Sequence, residues 1–325
     1  MSGLGEFELI EELARHLDPP REGLGIGDDA AAWTPSPGSL AVATTDMLVE
    51  GIHFRLDWTS PFDLGWKALA VNLSDLAAMG ARPGHALISL ALKPEQAALA
   101  EELYDGVREL AAKTGTQIVG GDTVRTPGPL AINVALYGEA APGRLLRRDA
   151  AEPGDLLVLT GPVGLSAAGL ELLSRGMSLT SPEAAPLLAA HRRPVPRLEA
   201  GAILAALGVR CAIDVSDGVA SEARHLARSS GMEVEIEADK LPLAPEAVAL
   251  LGVERARALA LSGGEDYELL FAVAPGLLDE VELGLPSSCS PAVVGRVLSR
   301  RAGGRVKVSL AGRPLEPAAA GYTAF

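Results

Sequence analysis

Ser60-Pro61-Phe62-Asp63-Leu64-Gly65-Trp66-Lys67-Ala68-Leu69-Ala70-Val71-Asn72-Leu73-Ser74-Asp75-Leu76-Ala77-Ala78-Met79-Gly80 carries both its own start and its own stop. Ser60 supplies a capping hydroxyl, Pro61 fills the first helical position, Asp63 stands in the first turn, and Gly80 lies just past the end. The pattern predicts a helix apolar enough to be buried along much of its surface. Residues 40–45 before it and 85–92 after it read as strands. A second helix over 94–113, closed by Gly115, and strands over 116–119 and 130–137 follow. The order β-α-β-α-β-β predicts a mixed sheet with helices on one face.

Residues 139–155 are rich in Gly, Pro and Arg and have no hydrophobic period, which predicts a linker between a domain over 1–142 and another over 143–325. A chain of 325 residues is long enough for each to bury its own core. The second half again alternates strand and helix. A strand over 156–160 leads to a helix from Val163 to near Gly176, and Pro194 and Pro196 precede a further helix. A strand over 211–215, a helix over 219–229 and strands over 234–236, 268–273 and 293–297 come next. The expected fold class is α/β with mixed sheets, in two domains.

The formal net charge of −14 argues against nucleic acid or an anionic membrane as partner, since both require a basic footprint. Cys211 and Cys289 are too few for a disulfide framework and form no CxxC pair, which predicts a reducing cytoplasm. The acidic, amphipathic start over 5–13 resembles neither a signal nor a transit peptide, and no apolar run approaches the ~20 residues that span a bilayer. Acidity also sets a puzzle: a polyphosphate ligand would be repelled unless cations stood between it and the carboxylates.

Asp28, Asp29, Asp46, Asp75, Asp122, Asp214 and Asp217 each follow or interrupt an apolar segment, with Gly, Ala, Ser or Thr alongside. A buried, unpaired carboxylate costs several kcal/mol or takes up a proton, so something must compensate it. Any one of them could be a cap or turn former. As a set at strand ends, where loops converge into sites, they point to a cation cluster, and oxygen ligands without His or Cys favour magnesium over zinc. Thr44 and Thr45 could add hydroxyl or carbonyl ligands. The GxxxxGK[ST] phosphate loop and the protein-kinase motifs are absent, and Gly23-Leu24-Gly25-Ile26-Gly27 misses the dinucleotide spacing.

Six segments in order resemble the thiamine-monophosphate kinase family, within the superfamily of aminoimidazole-ribonucleotide synthetase. They are Gly25-Ile26-Gly27-Asp28-Asp29-Ala30-Ala31, Thr44-Thr45-Asp46 leading to Gly51-Ile52-His53-Phe54, and Asn72-Leu73-Ser74-Asp75-Leu76-Ala77-Ala78-Met79-Gly80. Gly120-Gly121-Asp122-Thr123, Ile213-Asp214-Val215-Ser216-Asp217-Gly218 and Ser262-Gly263-Gly264-Glu265-Asp266-Tyr267-Glu268-Leu269 complete the set.

That resemblance implies the superfamily's two-domain fold, with nucleotide bound in a cleft between the domains and a homodimer built through the N-terminal sheets. It implies ATP as co-substrate, thiamine monophosphate as acceptor, and several Mg2+ ions held by Asp29, Thr44, Thr45, Asp46, Asp75, Asp122, Asp214 and Asp217. Of these, Asp29, Asp75, Asp122 and Asp214 would serve catalysis electrostatically, through the metal. Tyr104, Gly121, Asp122, Arg148 and Ser216 would contact ATP, and His53, Glu265 and Tyr322 the thiamine phosphate. The alternatives are a ligase of the same superfamily and a non-catalytic nucleotide- or cation-binding regulator. A selenophosphate synthetase would be expected to carry a reactive cysteine near the N-terminus, and none precedes Cys211.

Overall fold

The computed structural model describes residues 30–177 and 180–315. The chain divides into two compact units, one of Met1–Leu76 with Arg82–Pro142, the other of Ala77–Ala81 with Gly143–Phe325.

In the first unit β1 (Leu40–Val49), α1 (Pro61–Ala78), β2 (Arg82–Leu92), α2 (Leu99–Thr114), β3 (Gln117–Arg125) and β4 (Ala131–Ala140) follow the expected order. The sheet runs β1-β4-β2-β3, antiparallel except where β2 meets β3. Strand β4 alternates strictly between buried and half-buried residues, the signature of a sheet with one covered face. The start of α1 obeys its sequence signals: the Asp63 N–H donates to Ser60 Oγ at 3.1 Å. Gly115 ends α2 in the left-handed conformation, its N–H donating to the Ala111 carbonyl. The expected single helix over 94–113 is instead a 3-10 turn, Pro94–Gln96, followed by α2. Gln96 Oε1 turns back to accept the Lys93 N–H at 3.1 Å, which closes the short turn on itself.

Two glycines set how closely α1 and α2 pack. A Cβ at Gly65 would overlap the Leu103 carbonyl, and a Cβ at Gly106 would overlap the Phe62 carbonyl. Each helix thus lays its backbone against the other where the other lacks a side chain.

The second unit holds a seven-stranded sheet of order β11-β10-β7-β9-β5-β8-β6. Its strands are β5 (Leu156–Leu159), β6 (Cys211–Asp214), β7 (Met232–Glu237), β8 (Leu269–Val273), β9 (Ala292–Arg300), β10 (Arg305–Leu310) and β11 (Arg313–Pro314). The helices are α3 (Leu165–Ser174), α4 (Ala184–Arg192), α5 (Leu198–Leu207), α6 (Val219–Ser230), α7 (Pro245–Leu251), α8 (Val253–Ser262) and α9 (Leu278–Gly284). Alternate residues of the central strands enter two cores. Leu157, Ile213 and Leu270 pack with Ala223 and Leu226 of α6. Val158, Ala212 and Phe271 pack with Leu204 of α5 and Val281 of α9. Burial on both faces explains why β5, β6 and β8 read as unbroken apolar runs.

Replacing Gly106 by Ala forces α2 away from α1 and should cost about 3 kcal/mol or more by overpacking. Gly115→Ala meets open space and carries only the left-handed backbone penalty, about 1 kcal/mol. Thermal melting of both variants should therefore show the larger loss at Gly106, and equal losses would contradict the close crossing.

Candidate functional site

Carboxylates gather at one place in each unit. In the first, Asp46 lies on β1 and Asp75 near the end of α1. Thr44, two residues before Asp46 and so on the same face of the strand, donates a very short hydrogen bond from Oγ1 to Asp75 Oδ2. Burial, followed by the negative charge of Asp75, pushes the Asp46 carboxyl up to about 6. Two acids are held close, and one of them holds its proton to a higher pH than a free carboxyl does. Thr45 points to the opposite, exposed face, where its Oγ1 accepts from Asn133 Nδ2 at 2.9 Å.

His53 sits in the turn after β1, which Gly51 makes possible with a φ of 83°. The Val49 N–H donates to His53 Nδ1 at 3.0 Å. A ring nitrogen that accepts carries no proton, so the neutral imidazole has its proton on Nε2.

Sheet register separates Asp122 from this pair. Asp46 pairs with Val134, Val134 with Ile88, and Ile88 with Gly121, so Asp46 and Gly121 end one row across all four strands. Asp122 is one residue on, exposed, and three strands away, roughly 14 Å at ordinary strand spacing. The structure brings Thr44, Asp46 and Asp75 together, and leaves Asp122 and Gly121 on the opposite edge strand. Tyr104 of α2 is only 5% exposed, and burial raises its phenol above the ordinary value.

In the second unit Asp214 ends β6 and is 2% exposed. A turn through Ser216, Asp217 and Gly218 leads into α6, whose first turn bears Glu222, also 2% exposed. Glu222 Oε1 accepts the Asp217 N–H at 3.0 Å. Burial pushes its carboxyl up to about 8, the hydrogen bond opposes this, and the charges of Asp214 and Asp217 add to the rise. Asp217 is raised too, mainly by burial, with His225 and Arg148 lowering it and Glu265 raising it. Ser216, Asp217 and Glu265 thus share one end of the sheet; the charge of Arg148 is felt there, although its carbonyl lies at the other end of β6, accepting from the Ser230 hydroxyl. Sequence reasoning missed Glu222, since no local motif separates it from an ordinary first-turn acid.

Asp29 and Tyr322 lie outside the described residues. Among the described residues no three His, Cys, Asp or Glu side chains form a ready-made metal cage. The donors present are carboxylate and hydroxyl oxygens, and the elevation of Asp46 and Glu222 by burial and by neighbouring acids is what a divalent cation would relieve; this chemistry fits Mg2+.

Comparison with known proteins bears on both units. Residues 27–140 match the family model described as AIR synthase related protein, N-terminal domain, and residues 152–307 match the corresponding C-terminal domain. The thiamine-monophosphate kinase of Escherichia coli K12 is 41% identical over 297 residues, spanning 88% of this chain and 89% of that one. That of Bacillus subtilis 168 is 38% identical over 276 residues, 83% and 84% of the two chains. The crystal structure of the Stenotrophomonas maltophilia K279a enzyme superposes with a TM-score of 0.83 at 36% identity, covering 96% and 98%. A structure described as AaThiL complexed with AMPPCP and TMP gives a TM-score of 0.77 at 33% identity, covering 99% and 97%. The hydrogenase maturation protein HypE of E. coli shares the fold at a TM-score of 0.77 and 22% identity. The chain has the two-domain AIR synthase-like fold and belongs to the thiamine-monophosphate kinase family of enzymes.

Proposed function

We propose that this protein transfers the γ-phosphoryl group of ATP directly, in line, to thiamine monophosphate, giving thiamine diphosphate without a phosphoenzyme. The observation that carries the reading is the pairing of Asp46 with Asp75, two acids kept close at the cost of an elevated carboxyl. The relative solved with an ATP analogue and TMP supports the choice of substrates.

The acceptor needs no general base. A phosphate monoester has a second pKa of about 6, so it is already largely ionised at neutral pH. The barrier is electrostatic: two unit charges 4 Å apart repel by about 4 kcal/mol at an effective dielectric of 20, and these anions carry more. Several Mg2+ ions, when bound, neutralise the polyphosphate and let the two anions approach. Thr44, Asp46 and Asp75, with Asp29 and Asp122, would hold them on one unit, and Asp214 and Asp217 on the other; Thr45, whose hydroxyl faces away, could add only its backbone carbonyl. Tyr104, Gly121, Asp122, Arg148 and Ser216 would contact ATP, the guanidinium gripping phosphate oxygens. His53, Glu265 and Tyr322 would meet the thiamine phosphate: His53 as a donor from Nε2, Glu265 through attraction to the cationic thiazolium, Tyr322 by stacking.

The family expectation of a homodimer is supported by the open face of the first unit's sheet, where Met47 is 56% exposed and Ala43 and Thr45 also face outward. No described helix is long and apolar enough to cross a membrane. Cys211 and Cys289 are unbridged, in keeping with a cytoplasmic protein.

Incubation with ATP, Mg2+ and thiamine monophosphate should yield ADP and thiamine diphosphate in equal amounts. A metal-loaded preparation that makes neither would overturn the assignment. Asp75→Asn removes one charge of the pair, so turnover should fall about 100-fold or more while the metal-free melting temperature holds or rises. Near-normal turnover would take Asp75 out of the site.

The pH dependence has a defined sign. Asp46 is raised from 3.8 to about 6, so in that interval the folded chain keeps a proton that the unfolded chain has released. Its contribution to stability is full below 3.8 and is lost as pH rises through about 6. A cation must displace that proton, so the rise in Tm on adding Mg2+ should grow between about pH 5 and about pH 7.5. A shift of constant size across that interval would exclude Asp46 from the cation set.

A further inference from the structure

The 263–267 turn, which bears Glu265, is held in a strained shape. Glu265 has a φ of 68° and Tyr267 one of 53°, left-handed values that non-glycine residues rarely adopt. Backbone bonds fix the turn to the neighbouring one: the Glu265 N–H donates to the Ser216 carbonyl at 2.8 Å, and the Tyr267 N–H to the Val215 carbonyl at 2.9 Å. Asp266 caps α3, accepting the Gly164 N–H at 2.5 Å and the Ser166 N–H at 3.1 Å. Glu268 is committed to Arg197 and to the Thr160 hydroxyl. The backbone around Glu265 is therefore over-determined, and the orientation of its side chain is a separate matter.

His191 reaches that side chain from a different element. It lies in the last turn of α4, 8% exposed, with Nδ1 3.3 Å from Glu265 Oε2 and 3.1 Å from Ser166 Oγ. Close packing of α3 on α4 sets the approach: a Cβ at Gly169 would overlap the Leu187 carbonyl and crowd His191 Cβ. Packing alone does not call for a buried imidazole nitrogen shared between a hydroxyl and a carboxylate, because an apolar residue would fill the space without polar atoms to satisfy.

We propose that His191 is a positioning residue for substrate binding: its Nδ1–H, shared between Ser166 Oγ and Glu265 Oε2 as acceptors, aims that carboxylate at the cationic ring of the acceptor. The inference rests on the assignment of Glu265 to the thiamine phosphate above. A carboxylate free to rotate would lose part of its attraction to a fixed cation, so affinity for the acceptor suffers and the phosphoryl-transfer step does not.

The test measures thiamine monophosphate binding by calorimetry, and KM and kcat for both substrates, on the full chain. His191→Phe keeps a ring and removes the donor; His191→Asn places an amide N–H near the position of Nδ1. His191→Phe should raise the Kd and KM for thiamine monophosphate about tenfold, leaving kcat and the KM for ATP within twofold. His191→Asn should restore most of the affinity. In a Glu265→Ala background His191→Phe should add less than twofold, since the group it acts through is gone. An equal loss in both backgrounds, or none in either, overturns the proposal. Should His191→Phe fail to fold, His191→Leu takes its place in the same comparison. Wild-type protein that binds no thiamine monophosphate defeats the functional reading itself, whereas wild-type binding with no effect at His191 defeats only this inference.

Discussion

Like charge held at close range is the constraint on which the rest of this structure depends. Asp46 faces Asp75 in one unit, and Glu222 sits beside Asp214 and Asp217 in the other. Neither arrangement favours folding, because burial and the neighbouring negative charge both oppose ionisation of Asp46 and Glu222. Each survives because its surroundings are rigid. Asp46 is laddered to β4, and Asp75 projects from a helix packed along nearly its whole length. Asp214 ends a strand buried on both faces, and Glu222 is fixed by the Asp217 N–H. The apolar scaffold, with its glycine crossing of α1 on α2, supplies the stability that the acids consume.

The same logic extends to the turns. Strained, non-glycine left-handed residues persist only where neighbouring structure determines them. At Glu265 and Tyr267 that determination is visible: two backbone bonds to the 215–216 segment and the Asp266 cap on α3. Burial pushes the Asp266 carboxyl up to about 7 even though backbone N–H groups hold it down. A second glycine pair, Gly263 and Gly264, lets the turn close on Ala167 and on the Ser216 carbonyl, where any Cβ would collide. Precision in the placement of the Glu265 backbone thus comes from several weak and mutually dependent contacts, and His191 Nδ1 lies 3.3 Å from its carboxylate.

Much of the fold was legible because strong punctuation marks its elements. Ser60 and Gly115 bracket helices whose caps form as their chemistry requires. Strand ends were less readable. The strand expected over 40–45 continues to Val49, because the polar run Thr44-Thr45-Asp46 is carried by pairing to Leu136, Ala135 and Val134, a tertiary effect that local composition does not encode. Helix α4 went unread, since Pro186 and Pro194 crowd a short apolar run. Within the candidate site, aspartates at strand ends stood out through their apolar flanks. Glu222 and His191 did not, because each gains meaning only from a residue that the fold brings alongside.

Fold alone would not have led to a function. HypE shares this architecture at an identity too low to carry more than the fold, so the framework of sheets and cores leaves the chemistry open. What varies on such a framework is the set of groups that face the ligand and the groups that hold those in place. A cluster of acids selects for anions bridged by cations, and any polyphosphate would satisfy it. Selection of one acceptor needs a feature tied to that acceptor alone. In the function proposed above that feature would be the Glu265 carboxylate, on a turn whose backbone is locked and with a buried imidazole nitrogen 3.3 Å away. On that proposal the acid clusters would account for phosphoryl transfer in general, and Glu265, with His191 and Ser166 behind it, for which molecule receives the group.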